Sequence, residues 1–454
     1  MAITCSITDG TNTIDFTSTS SFQLAQREYT PKIATPPGDN SIPEYITEVL
    51  PCRVNEASDD ALATELQKMA AFQKLATLYW EDPTEDTPVW FQMKLDSETG
   101  ARRALVKNIN VVPTSSWFQD ATGTDRWIEC DVVILRHPYW ERTSTVTLAT
   151  SSGMTGASIV YDPTSAVDIV GDVPGRIEKL VLSWAAADPL DRFWMGLRSA
   201  NKHGTLANFA PIWECEDGTN VTDAADAVDG TASDGNKVTV TPGTATWAKR
   251  MHILLSDVTA NYTDNYGRFV WLLRAKVSAG TWEVYMRYGH DSMPDDEYVR
   301  NDVVKITNTS WYYFNLGQMM IPLHGAQLPE EGGASHQDIQ LWARRTVGAG
   351  TLDMDCICPF PIDEGYCVVS NGDTGTTGNL YFKASPKDEE FVNSMSTYAR
   401  KMCPFESNTF RLPVGDMRLI FIVTRDTSSD LTDVLNVSTG PTYYPRWTSL
   451  RGSE

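Results

Sequence analysis

Apolar and polar residues alternate along most of this chain with the period of two that a half-buried strand requires. One segment breaks the rule. Ser58 can cap a helix, Asp59 and Asp60 suit the positive end of its dipole, and Leu62, Leu66, Met69, Ala76 and Tyr79 then recur at helical spacing, which predicts a helix over about 58–79. Before it, Thr13-Ile-Asp-Phe16 and Tyr45–Leu50 read as strands joined by an arm over Tyr29–Pro43, punctuated by Pro31, Pro36, Pro37 and Pro43. After it, Val89–Leu95, Ala104–Val112 and Arg126–Leu135 read as strands between turn clusters such as Ser97–Gly100.

Farther along, Thr143–Gly171 is a Ser/Thr/Gly-rich connection. Eight strand signals follow it, at Arg176–Ser183, Lys237–Thr241, Met251–Leu255, Arg268–Val277, Thr281–Tyr288, Trp311–Leu316, Asp338–Arg345 and Leu352–Cys358, with no helical pattern between them. That grain predicts an antiparallel jelly roll with the acidic loops Cys215–Asp234 and Asp291–Asp302 at its ends. The remaining residues hold a helical pattern over 386–402, the strand Arg418–Thr424 and the segment Thr442–Trp447. The fold class expected is therefore mainly β: a β-sandwich with one packed helix over 1–148, a linker over 149–173, an inserted antiparallel jelly-roll sandwich over 174–361, and a segment over 362–454 that completes a sandwich begun elsewhere.

Composition narrows the function. At roughly 100–200 residues per domain, 454 residues suggest about three domains. Fourteen Trp, 17 Tyr and 15 Phe supply enough apolar volume to rule out wholesale disorder. The net charge of −22 argues against binding nucleic acid, which needs clustered cations. Apolar runs such as Val132–Leu135 fall far short of the ~20 residues that span a bilayer. Nothing at the N-terminus looks like a secretion signal, so a soluble protein made in a cytoplasm is expected. Eight cysteines are too sparse for a disulfide scaffold and read as reduced, space-filling thiols. Nucleophile-elbow, zinc-protease, P-loop and dinucleotide-binding motifs are all missing, and none of the six histidines lies two or four residues from another. No enzyme activity is expected.

Three stretches together carry a resemblance. Pro88-Val-Trp-Phe-Gln-Met-Lys-Leu95, Arg102-Arg-Ala-Leu-Val106 and Leu135-Arg-His-Pro-Tyr-Trp-Glu141 resemble the N-terminal domain of distal-tail-type proteins of siphophages, and Thr442-Tyr-Tyr-Pro-Arg-Trp447 resembles the last strand of such components. Trp311–Pro322 and Leu352–Pro361 resemble strands of carbohydrate-binding-module jelly rolls, which are often inserted into phage tail and baseplate proteins. The helical pattern at 386–402 has no place in that scheme. The resemblance implies a virion structural protein, assembled in a host cytoplasm: one subunit of a tail-tip or baseplate ring, a homo-oligomer of three or six copies, in contact with other tail proteins and with host surface glycan. A glycan-binding adhesin or fibre is the alternative, and a glycoside-active enzyme the third reading.

Sugar binding has its own candidates. Aromatic rings stack on the apolar faces of sugars while nearby polar groups fix hydroxyls. On Thr281–Tyr288, Trp282, Val284 and Met286 share one face, and Glu283, Tyr285 and Arg287 share the other. Glu283, Tyr285 and Arg287 are the expected sugar-facing set, Trp247 and Trp342 are further aromatic candidates in the same domain, and Tyr285→Ala is expected to weaken glycan retention without changing the melting temperature. Calcium is the other feature the resemblance implies, with Glu214, Glu216, Asp217, Asp353 and Asp355 as candidate oxygen ligands.

Overall fold

The computed structural model describes residues 3–17, 19–25, 44–81, 87–95, 100–115, 118–119, 126–147, 167–184, 190–199, 212–241, 243, 245–254, 266–290, 299–321, 337–363, 366–370, 378–384, 391–394, 412, 414–425, 436–437 and 442–447. The arm Tyr29–Pro43 and most of the linker lie outside them. The described chain is mainly β, with antiparallel sheets and one α-helix.

Strand Arg102–Pro113 organises the N-terminal part because it serves two sheet regions. Its first residues pair with Trp90–Leu95 and with Trp140–Arg142. A register shift between Val106 and Asn108 bends it, and its second half pairs with Arg126–Arg136. Arg126–Arg136 pairs in turn with the whole of Ile46–Glu56, where the strict alternation of buried and half-buried residues sends Leu50, Cys52 and Val54 inward. The helix α1 (Asp59–Glu81) lies mainly along Arg102–Pro113. Ser58 accepts the Ala61 N–H at its start (3.2 Å), and Asp59 pairs with Arg126 (2.9 Å). Leu62, Met69, Phe72 and Ala76 share a core with Val106, Ile109, Val132 and Ile134.

The later strands return to this part. Thr442–Trp447 pairs with Trp140–Arg142 on one side and Val173–Trp184 on the other, and Gly378–Ala384 and Phe391–Ser394 extend the same sheet. Two expectations are corrected here. Val173–Trp184, which contains Arg176–Ser183, pairs with Gly378–Ala384, Asn436–Val437 and Thr442–Trp447, and so belongs with the chain's later strands and not with the jelly roll. Inside the helix expected over 386–402, Phe391–Ser394 is a strand in register with Tyr381–Ala384. Hairpin pairing at a sheet edge overrides the local helical pattern there. The linker's last residues also enter a sheet: Val167–Ile169 joins Gly415–Arg425, Leu190–Ser199 and Tyr366–Ser370 in a four-stranded one.

Between these elements sits a sandwich of two six-stranded antiparallel sheets built from Trp213 to Pro361. The inner sheet runs Ala224–Val228, Asn236–Val240, Leu352–Pro361, Gly267–Val277, Tyr312–Ile321, with Trp213–Glu214 as a sixth strand on Leu352–Pro361. The outer sheet runs Thr219–Asn220, Ala248–Leu254, Gln337–Val347, Thr281–His290, Val299–Arg300, with Val304–Ile306 as a sixth strand on Thr281–His290. Trp213, Trp271, Trp282, Met251, Ile253 and Leu341 fill the space between. The four-stranded sheet packs against this sandwich through Trp194, whose ring meets Phe360 edge-on at 5.7 Å. A β-carbon on Gly196 would stand 2.7 Å from the Pro361 carbonyl oxygen, so that approach requires glycine.

Candidate functional site

Two sites emerge from the sandwich. The first is the outward face of its outer sheet. The alternation that sends Trp282, Val284 and Met286 into the core turns Glu283, Tyr285 and Arg287 the other way. On the neighbouring strand Ile339, Leu341 and Ala343 are core residues, while Gln340, Trp342 and Arg344 stand directly opposite Arg287, Tyr285 and Glu283. Tyr285 and Trp342 stack nearly parallel, 8° apart with centroids at 6.1 Å, and Trp247 closes on Tyr285 at 4.6 Å. Guanidinium carbons lie over these rings: Arg300 over Tyr285 at 4.1 Å, Arg287 over Trp342 at 4.3 Å and Arg344 over Trp247 at 4.7 Å.

The polar groups are tied together. Arg344 Nε donates to Glu283 at 2.8 Å, Trp342 Nε1 to the Gln340 side-chain carbonyl at 2.8 Å, and Gln340 Nε2 to Asp338 at 2.7 Å, with His252 Nδ1 3.1 Å from the same carboxylate. The structure thus brings Trp247, Glu283, Tyr285, Arg287 and Trp342 to one face. Their depth differs from the expectation. Tyr285 is only 2% exposed, enclosed by Trp247, Trp342 and Arg300, so it supports the surface instead of forming it. Trp247 and Trp342 are half-buried and offer the accessible rings. Gln340, Arg300 and Arg344 were not singled out by sequence; their places opposite or beside the Thr281–Tyr288 alternation were the signal.

The second site is an acidic cluster. Trp213–Glu214 pairs with the Cys356–Ile357 edge and a short 3-10 turn, Cys215–Asp217, follows. That places Glu214 and Glu216 beside Asp234, with one oxygen of each within 4.8 Å of the others. The Ser233 hydroxyl lies between Glu214 and Asp355, 2.9 Å from the latter. Burial pushes Glu214 up to about 7, with the charges of Asp355, Asp234 and Asp217 adding to it. Burial and the adjoining Asp234 push Glu216 up to about 8, while Asp234 itself is lowered. Both Glu216 carboxylate oxygens are shielded from solvent and face no hydrogen-bond donor.

The other calcium candidates are differently engaged. Asp353 receives Lys237 Nζ at 2.7 Å and the Thr239 hydroxyl at 2.9 Å. Asp355 forms a buried ion pair with Arg274 and accepts the Ser233 N–H at 2.9 Å. Asp217 is exposed and outside the cluster. Asp353 and Asp355 are thus ion-pair partners of Lys237 and Arg274. Asp234, from the acidic loop Cys215–Asp234, stands with Glu214 and Glu216. Three crowded carboxylates, one of them with neither oxygen hydrogen-bonded, are a donor set that fits a hard divalent cation.

A third cluster binds the frame together. Glu141 accepts Arg176 Nε at 2.7 Å and Nη2 at 2.9 Å, and Arg446 Nε and Nη2 at 3.1 and 3.0 Å, with Arg103 at 3.6 Å. Although burial acts against its charge, these guanidinium groups hold the Glu141 carboxyl far below the ordinary range. Arg102 lies over Trp447 at 4.1 Å, and Arg103 over Trp90 and Tyr444 at 4.0 and 4.4 Å. Among the described residues six cysteines are free and buried, and burial pushes Cys5 up to about 12 and Cys130 to about 11. No helix among the described residues is long and apolar enough to cross a membrane.

No protein-family model matches the chain, and no curated protein matches it. Among solved structures, two chains of the phage p2 baseplate in its activated conformation are similar to it, one with Sr and one with Ca. They share 9% and 10% identity, cover 94% of this chain and 99% of their own, and align with TM-scores of 0.21 and 0.19. At such scores the folds do not superpose as wholes, and the functional reading rests on this chain's own side chains.

Proposed function

We propose that the chain is a structural subunit of a phage tail tip or baseplate, a ring component whose inserted sandwich touches host surface glycan. The observation that carries the first half is spatial. The stretches that resemble distal-tail-type proteins are far apart in sequence yet form one buried cluster: Glu141 faces Arg446, Trp140 faces Trp447, and Arg102 and Arg103 lie against Trp447 and Tyr444. An ordered frame of this kind, with a sandwich inserted between its strands, suits a part that is tiled around an axis while presenting a module outward. Gold-labelled antibody against the chain is expected to mark one end of the tail in intact particles; label absent from particles would sink the reading.

The second half rests on the aromatic face. Half-buried Trp247 and Trp342 offer stacking surfaces, and the arginines around them offer donors for hydroxyls. Glu214, Glu216 and Asp234 would hold calcium, which would neutralise three crowded carboxylates and fix the start of the sandwich. Partners of the reading are other copies of the chain, other tail proteins and host glycan.

A further inference from the structure

We propose that the saccharide bound on the outer-sheet face is anionic, carrying carboxylate or phosphate groups; this rests on the glycan reading of the same face. The first argument is a juxtaposition. Arg287 and Arg300 are directly opposite each other across the antiparallel pair Thr281–His290 and Val299–Arg300. Like charges in that position destabilise a sheet, and both guanidiniums are gathered further onto the Tyr285 and Trp342 rings. An arrangement that works against the fold is what a site for a negatively charged ligand requires.

The second argument is the charge of the face. Among the described residues it carries Arg287, Arg300, Arg344, Lys249 opposite Trp342 and Lys305 opposite Glu283, against Glu283 and Asp338. Both carboxylates are already engaged, Glu283 by Arg344 and Asp338 by His252 and Gln340. Among the described residues, a cationic excess beside half-buried aromatic rings, in a chain of net charge −22, is a local inversion of sign. A guanidinium seated on a ring is desolvated on that side and meets carboxylate or phosphate through its N–H edge, often with two parallel hydrogen bonds. An acidic sugar would set its ring on Trp342 or Trp247 and its anionic group against Arg300, which is exposed.

The test uses the full-length chain and matched polymer pairs: polygalacturonate against its fully methyl-esterified form, and phosphomannan against the same mannan stripped of phosphate. The charged member of at least one pair is expected to bind about tenfold tighter or more, a ratio that shrinks between about 50 mM and about 500 mM salt. Which pair responds separates carboxylate from phosphate. Arg300→Gln is expected to collapse the ratio with the melting temperature unchanged, and Arg300→Lys to restore part of it. Equal or better binding of the neutral members, or a ratio indifferent to Arg300→Gln, would overturn the anionic assignment and leave the glycan reading standing. Binding of none of the four polymers would overturn both.

Discussion

Glu141 is the residue on which the frame turns. Two arginines surround it in near-bidentate geometry, with a third 3.6 Å away, all of them shielded from water or nearly so. Removing the carboxylate strands buried cations, so Glu141→Gln is expected to destabilise the chain by about 3–5 kcal/mol, read by urea unfolding. A change within about 0.5 kcal/mol would show the cluster to be inert. On the aromatic face, depth separates two outcomes. Trp342→Ala is expected to abolish saccharide retention with little change in melting temperature. Tyr285→Ala removes a buried ring and is expected to cost about 3–5 kcal/mol of stability. Sequence alternation grouped Glu283, Tyr285 and Arg287 on one face, but it carries no information on which ring the neighbouring strands cover. The same limit applies to the acidic cluster: Glu214 and Glu216 were legible as a pair, whereas the cations that claim Asp353 and Asp355 come from strands distant in sequence.

The acid pair also gives a pH signature. Glu214 and Glu216 are raised from 4.5 to about 7 and about 8, so the folded chain keeps protons that the unfolded chain has released. Stability of the metal-free chain is therefore expected to fall as pH rises from about 5 to about 8. Calcium needs both acids ionised, so the stabilisation it brings is expected to grow across the same window and to vanish in Glu216→Gln. Thermal melts with calcium or with chelator at pH 5.5 and 8 read both effects; a calcium response equal at the two pH values would remove Glu214 and Glu216 from the site.

At the level of elements, what is local in sequence was legible. The helix α1 follows from its cap and its apolar stripe, and Met69→Ala on the buried stripe is expected to cost about 2–5 kcal/mol, measured by thermal or chemical unfolding. An exposed-site cost below about 0.5 kcal/mol would place that stripe elsewhere. The strands around Thr281–Tyr288 followed equally from alternation. What could not be read was pairing. Nothing local in Arg176–Ser183 says that its partners are Gly378–Ala384 and Thr442–Trp447, and nothing in the 386–402 pattern says that Phe391–Ser394 closes a hairpin. Those choices are made by edges supplied from elsewhere in the chain.

For the whole molecule, tiling has to overcome a charge of −22 on every copy. Self-repulsion over that surface weakens as ions screen it within about 8–10 Å, so assembly of copies should strengthen with ionic strength unless calcium or partner proteins neutralise the same charge. The most direct measurement of the structural reading is the mass of the full chain by light scattering at rising concentration in near-physiological salt. A closed assembly of three or six times 50.4 kDa is the expected result. A chain that stays at 50.4 kDa at every concentration would contradict it.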